Sequence, residues 1–288
     1  MVYVNGRFVP PESALIPVTD RAFLFGDGVY EVIFGRAGRF AFWDLHMSRL
    51  ARSSAEVEIP ILQDSATWLS VARQLWNDAA CTTGSLYLEV SRGVAPREHH
   101  FPEVVQPSTV AFVKPAAEPE PRIAQGVRAI LLADQRWLRC DIKSVNLLPN
   151  VLAREQARRQ GAREAILVRD DMLTEGAATN LFVVRRGELW THPANHLVLP
   201  GITRHVVLEE ARRLGLAIRL EPYARADLSQ ADEIFVTGTT SHLLPIAEIQ
   251  GEWQAPGPGV VTSRLHDAYM TRLARELDVA PSVASSAG

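Results

Sequence analysis

The chain has 288 residues, 47% of them hydrophobic, with 30 Lys plus Arg against 33 Asp plus Glu and a formal charge of −3. That length can bury a large core in one domain or two, and the near balance of charge excludes a basic field for nucleic acid or an anionic membrane. No apolar run approaches the roughly 20 residues of a bilayer span, and the N-terminus lacks a basic-then-apolar leader. The expectation is therefore a cytoplasmic protein without nucleic-acid or membrane partners, acting on small molecules. Cys81 and Cys140 are too few for a disulfide scaffold or a zinc site, so both read as free thiols and no metal is expected.

In chain order, Asn5-Gly6 joins the arms of a hairpin over Val2–Val9, because this dipeptide accepts the positive φ values of a tight turn. Val29–Phe34 and Arg39–Trp43 read as two more strands. Trp43, Met47, Leu50, Ser54 and Val57 then recur at helical spacing, and a second helix covers Ser65–Ala80. Strands follow at Ser85–Ser91 and Ser108–Val113. The prolines of Lys114–Arg122 mark a stiff linker. The expected organisation is a small α+β domain over 1–114, a linker over 115–125 and a larger α+β domain over 126–288 carrying Lys143. In the latter, strands are expected at Val127–Ala133, Ala165–Arg169, Asn180–Arg185, Leu189–His192 and Glu233–Thr237. Helices are expected from Leu148 to Gln160 and from Thr203 to Leu214, closed by Gly161 and Gly215. The tail Ser282–Gly288 reads as frayed.

Lys143 stands between an apolar run and a Pro-punctuated helix start. Alone, a lysine is a solvated surface charge; desolvated, its amine is a nucleophile that can form a Schiff base with an aldehyde such as pyridoxal phosphate. That cofactor would also need a carboxylate beside its pyridine nitrogen and a cradle for its phosphate. Glu175, between a strand and a small-residue stretch, is a candidate for the first. The amides of Ile202 and Thr203 at a helix start, and the Thr237–Ser241 turn with Gly238 and Thr239, are candidates for the second. Each also has a plainer reading, as a loop carboxylate, an N-cap and a polar turn.

Taken together and in this order, Phe25–Val32, Arg136–Lys143, Thr174-Glu-Gly176, Gly201–Arg204 and Thr239–Ser241 resemble the fold-type IV family of pyridoxal-phosphate enzymes. The resemblance runs from Asn5-Gly6 to about Ile249. It implies a two-domain α+β fold with the cofactor at the domain interface, and a homodimer. It implies that Lys143 holds the cofactor and shuttles the proton, that Glu175 pairs with the pyridine nitrogen, and that Ile202, Thr203 and Thr239 hold the phosphate together with Arg49. Leu199 would pack against the ring. Helical spacing alone leaves Arg49 off the apolar stripe, as an ordinary surface arginine.

Within the family, Ser91–Pro102 is similar to the loop of D-amino-acid transaminases that traps the substrate α-carboxylate. The resemblance assigns Arg97, His99 and Tyr30 to that trap. Some relatives carry serines where this chain has Ala177, Ala178 and Gly238. The expected function is a transaminase moving an amino group between a D-amino acid and a 2-oxo acid. A branched-chain or R-selective amine transaminase, or an aminodeoxychorismate lyase-like enzyme, is the alternative on the same scaffold.

Overall fold

The computed structural model describes residues 1–116, 126–255 and 259–278. The described elements run β1 (Val2–Val4), β2 (Arg7–Val9), α1 (Arg21–Phe25), β3 (Gly28–Arg36), β4 (Arg39–Phe40), α2 (Trp43–Glu56), α3 (Ser65–Ala79), β5 (Thr83–Ser91), β6 (Ser108–Pro115) and β7 (Val127–Ala133). They continue with α4 (Leu148–Arg159), β8 (Glu164–Arg169), β9 (Met172–Gly176), β10 (Asn180–Arg185), β11 (Glu188–Thr191), α5 (Ile202–Arg213), β12 (Ile218–Leu220), β13 (Tyr223–Ala224), β14 (Glu233–Gly238), β15 (His242–Ile249), β16 (Trp253–Gln254) and α6 (Val260–Glu276). The mixture of helices and sheets is the expected α+β class.

The chain divides into two compact units. The first joins Met1–Pro119 to Gln135–Ala153 and Ala194–Pro200; the second comprises Glu120–Asp134, Arg154–Pro193 and Gly201–Gly288. The division differs from a single cut after residue 114, because Lys143 belongs to the first unit and not to the C-terminal one. The linker expected over 115–125 falls almost wholly outside the described residues, as does the Ser282–Gly288 tail.

The first unit is built on an antiparallel six-stranded sheet in the order β2-β1-β6-β5-β3-β4. Asn5 and Gly6 have φ of 47° and 88°, the left-handed pair that the hairpin turn requires. Val29, Ile33, Leu86, Leu88, Val90 and Ala111 form the core face of the sheet against Leu50 of α2 and Trp68, Leu75 and Trp76 of α3. The strand expected over Arg39–Trp43 stops at Phe40, because the chain turns there and Trp43 already opens α2.

The second unit holds a ten-stranded mixed sheet, ordered β12-β11-β10-β14-β15-β7-β8-β9-β13 with β16 beside β15. One core cluster includes Leu181, Val183, Ile234, Val236 and Ile246. Helix α5 packs on β14, and α6 packs on α5, β14 and β15. Cys81 and Cys140 are free thiols.

Candidate active site

In the first unit, the neighbours of Lys143 fix where its amine can reach. Ile142, 5% exposed, is sunk in the core beside the helices. The Lys143 amide donates to Ser53 Oγ of α2 at 3.2 Å, and its carbonyl accepts from the Tyr30 amide at 3.0 Å. Val29 and Ser144 form a β-bridge, and the Val145 amide donates to the Gly28 carbonyl at 3.0 Å. The segment thus occupies the edge of β3 that β4 leaves open, since β4 pairs only with Gly35 and Arg36. The ammonium of Lys143 lies 4.2 Å from the centroid of the Tyr30 ring, a cation–π distance. Tyr30 in turn stacks on Tyr87 with centroids 5.6 Å apart.

Strand alternation sends the next residue, Glu31, to the opposite face of the sheet. There it is wholly buried and accepts hydrogen bonds from Arg49 Nε at 2.8 Å and Arg49 Nη2 at 2.7 Å, with His46 Nδ1 at 2.7 Å. Burial pushes the Glu31 carboxyl up, but the charge and hydrogen bonds of Arg49, aided by His46, prevail and hold it at about 2. Burial moves His46 below its ordinary value of 6.5 although Glu31 pulls it up, and the charges of Arg49 and Lys143 add to the lowering. Arg49 Nη1 donates to the Pro200 carbonyl at 3.2 Å, beside half-buried Leu199. At 6% exposure Arg49 is not the surface arginine that helical spacing suggests. It lies on the buried polar face that His46 and Ser53 share with it.

In the second unit Glu175 lies inside β9, not in a loop, and is 4% exposed. Asn180 Nδ2 donates to its Oε2 at 2.7 Å. Burial pushes the Arg204 guanidinium below its ordinary value although the charge of Glu175 pulls it up, and Arg204 Nη2 donates to the His192 carbonyl at 2.7 Å. Gly201 makes room for this arrangement: a Cβ there would meet Asn180 Oδ1 at 2.0 Å.

Gly201 is also the N-cap of α5 and supplies no capping side chain. The first intrahelical bond runs from the His205 amide to the Gly201 carbonyl at 2.9 Å, so the amides of Ile202 and Thr203 lie at the positive end of the helix. Thr203 is therefore the second helical residue and not the N-cap. Both side chains are buried. Gly238 and Thr239 are half-buried, at the end of β14 and in the turn to β15. The place of a Gly238 Cβ is taken by Ser241 Oγ, at 2.8 Å. Thr237 Oγ1, 1% exposed by residue, is buried without a hydrogen-bond partner among the described residues, and Thr237 pairs in register with Asn180.

Arg97 and His99 are exposed and share one aromatic neighbour. The Arg97 guanidinium lies 5.5 Å from the Phe25 centroid, and the His99 ring is 5.5 Å from the same ring. Arg21 fixes their loop, donating from Nη1 to the Glu98 carbonyl at 2.6 Å and from Nε to Asp27 at 2.7 Å. Arg92, 2% exposed, also holds Asp27. The ring neighbours of Tyr30 are Lys143 and Tyr87, so the structure groups the trap candidates as two sets.

Sequence reading missed Glu31, His46, Asn180 and Tyr87. A signal for two of them was present: His46 and Arg49 are three apart on a helix and so share a face, and Glu31 has the same strand parity as the core-facing Val29 and Ile33. Asn180 could not be read, because its partner is set by the turn between β9 and β10.

The sequence matches the Amino-transferase class IV family over residues 28–249. The chain belongs to that family. It is an aminotransferase of the fold-type IV group, and its curated relatives include the D-alanine aminotransferases of Listeria innocua and Bacillus licheniformis. The first is 38% identical over 278 residues, covering 95% of this chain and 96% of the relative. The second is 38% identical over 276 residues, covering 96% and 98%. Among solved structures, the branched-chain amino acid aminotransferase of Escherichia coli superposes with a TM-score of 0.86 at 25% identity, covering 98% of this chain and 97% of that one. Among the described residues no helix is long and apolar enough to cross a membrane, and no cluster of three or more His, Cys, Asp or Glu could hold a metal.

Proposed function

We propose that this aminotransferase uses pyridoxal 5'-phosphate to move an amino group between a D-amino acid and a 2-oxo acid, with D-alanine and 2-oxoglutarate as representative substrates. The single observation that carries the reading is the pinning of Lys143 on the edge of β3 with its amine over Tyr30, within a chain 38% identical to D-alanine aminotransferases. The donor set fits the cofactor. Glu175 is a buried carboxylate held by Asn180, and α5 opens on an uncapped N-terminus with Thr203 in its first turn. Arg49 spends three of its N–H groups on Glu31 and Pro200, and a guanidinium carries five.

The bound cofactor supplies an electron sink for the charge that develops at the substrate Cα. Lys143 Nζ would hold the cofactor and move the proton at the substrate Cα, serving in turn as base and acid. Glu175 keeps a proton on the pyridine nitrogen. The amides of Ile202 and Thr203, the turn at Gly238 and Thr239, and Arg49 would hold the phosphate, and Leu199 would pack against the ring. Tyr30, Arg97 and His99 receive the substrate carboxylate, for which a guanidinium fork is geometrically suited. The protein is a homodimer in this reading. The exposure of Leu15, Val18, Phe23 and Val104 on the first unit supports a partner surface there.

Borohydride treatment of the holoenzyme followed by peptide mapping tests the assignment. The reduced cofactor is expected on the peptide containing Lys143, and Lys143→Ala should abolish turnover. Label on another lysine, or full turnover in the variant, contradicts it.

A further inference from the structure

The loop that carries Arg97 and His99 rests on two buried arginines of the first unit that no step above uses. Arg21 of α1, 3% exposed, donates from Nη1 to the carbonyls of Glu98 at 2.6 Å and His100 at 3.3 Å, and its amide donates to the Gly93 carbonyl at 2.9 Å. Arg92 lies with its guanidinium carbon 3.5 Å from the centroid of the Phe101 ring. Its Nη1 donates to the Glu58 carbonyl at 2.9 Å and its Nη2 to the Val57 carbonyl at 2.6 Å, just beyond the end of α2. Asp27 joins the two arginines, since its Oδ2 accepts from Arg21 Nε at 2.7 Å and from Arg92 Nε at 2.8 Å. One helical turn after Arg21, Phe25 supplies the ring against which Arg97 and His99 both lie.

Building on the carboxylate-trap reading above, we propose that Arg21, locked by Asp27, is a positioning residue that sets the trap loop in its carboxylate-receiving shape before substrate arrives. Between β5 and β6 the loop has no helix or strand of its own, so a loose loop would have to be ordered at every binding event. Arg21 orders it in advance. Nη1 has two hydrogens, one for each loop carbonyl, while the hydrogen of Nε is committed to Asp27. A guanidinium this deep needs a carboxylate partner, so Arg21 cannot swing away from the loop without leaving a buried charge unpaired. The task suits a fork and not a point charge: a lysine concentrates its donors at one nitrogen and cannot reach Asp27 and both carbonyls together. The hold acts on backbone carbonyls and leaves the Arg97 and His99 side chains exposed.

The test is Arg21→Lys, which keeps a positive charge for Asp27, read with propionate, a ligand that offers a carboxylate without the amino group of D-alanine. As a competitive inhibitor of the holoenzyme, propionate is expected to bind about tenfold more weakly to the variant, the scale of one hydrogen bond to a charged group. The kcat/KM for D-alanine should fall by a similar factor, amide hydrogen exchange across Arg97–Phe101 should quicken, and the absorption of the bound cofactor should not move. In a background of Arg97→Ala with His99→Ala, Arg21→Lys should weaken propionate no further, because it acts through those side chains. Unchanged propionate affinity, unchanged exchange, or an equal loss in both backgrounds overturns the clamp. If Arg21→Lys does not fold, the unaltered holoenzyme decides. The Glu98 amide, which donates to the Pro96 carbonyl at 2.8 Å, is expected to exchange well below the open-chain rate without ligand; exchange at that rate, slowed only when propionate is added, overturns the clamp. A parent that does not bind propionate, or binds it equally well as Arg97→Ala, fails the trap reading and the clamp with it; weaker binding by Arg97→Ala but not by Arg21→Lys fails only the clamp.

Discussion

Glu31 is a carboxylate with no exposure that the core tolerates because Arg49 grips it with two N–H groups and His46 with a third. Removing one partner of such a buried pair is much worse than the net value of the pair, since it strands the other charge. Glu31→Gln is therefore expected to lower unfolding free energy at pH 7 by about 3–5 kcal/mol in denaturant titrations. The folded carboxyl is depressed from 4.5 to about 2, so its stabilisation is present above 4.5 and is lost as the pH falls through 2. The gap between parent and variant should narrow across that window, and a constant gap would contradict the assignment. His46 is also depressed, and its contribution is full above 6.5 and fades as the pH falls below that value. On the substrate side, Arg97→Ala should cost a charge-assisted contact of about 1.5–3 kcal/mol. That is a roughly ten- to hundredfold loss in kcat/KM for D-alanine. A primary amine without a carboxylate should be spared, and equal losses for both would favour an amine transaminase.

Among the elements, α6 packs on α5, β14 and β15, and its start depends on one carboxylate. Glu233 of β14 accepts from the amides of Val261 at 3.0 Å and Thr262 at 2.7 Å, and a Cβ on Gly259 would meet the Glu233 carboxyl carbon at 1.8 Å. Glu233→Ala should cost roughly 0.5–2 kcal/mol of stability, the range for loss of an N-terminal cap, with faster amide exchange in the first turn of α6. Unchanged exchange there would show that the helix start has other support. The start of this helix was not legible in the sequence, because the carboxylate that caps it is 26 or more residues away and leaves no local signal. The elements that were legible carry their own punctuation. Asn5-Gly6 forced the first hairpin, and Val127–Ala133 and Asn180–Arg185 match their strands end to end. Lys143, Glu175 and Thr203 stood out by motif, whereas Glu31 and Asn180 did not, since what they do depends on partners that only folding brings near.

At the scale of the whole molecule, one chain alternates between two units. It leaves the first, returns to it with Gln135–Ala153 and again with Ala194–Pro200, and so places Lys143, Arg49 and Leu199 in one unit and Glu175, Thr203 and Thr239 in the other. A linear sequence read as two consecutive domains could not reveal that. The family relationship accounts for the transamination chemistry, and the hand of the amino acid follows the relatives at 38% identity, which are D-alanine aminotransferases, over a structural neighbour with a TM-score of 0.86 and 25% identity that is a branched-chain aminotransferase. The most direct measurement is initial-rate transamination of 2-oxoglutarate by D-alanine, L-alanine and L-leucine with the same holoenzyme preparation. D-alanine is expected to be turned over with a kcat/KM at least about a hundredfold above either L-amino acid, a difference of about 2.7 kcal/mol in transition-state binding. Preference for L-leucine or L-alanine over D-alanine would contradict the account.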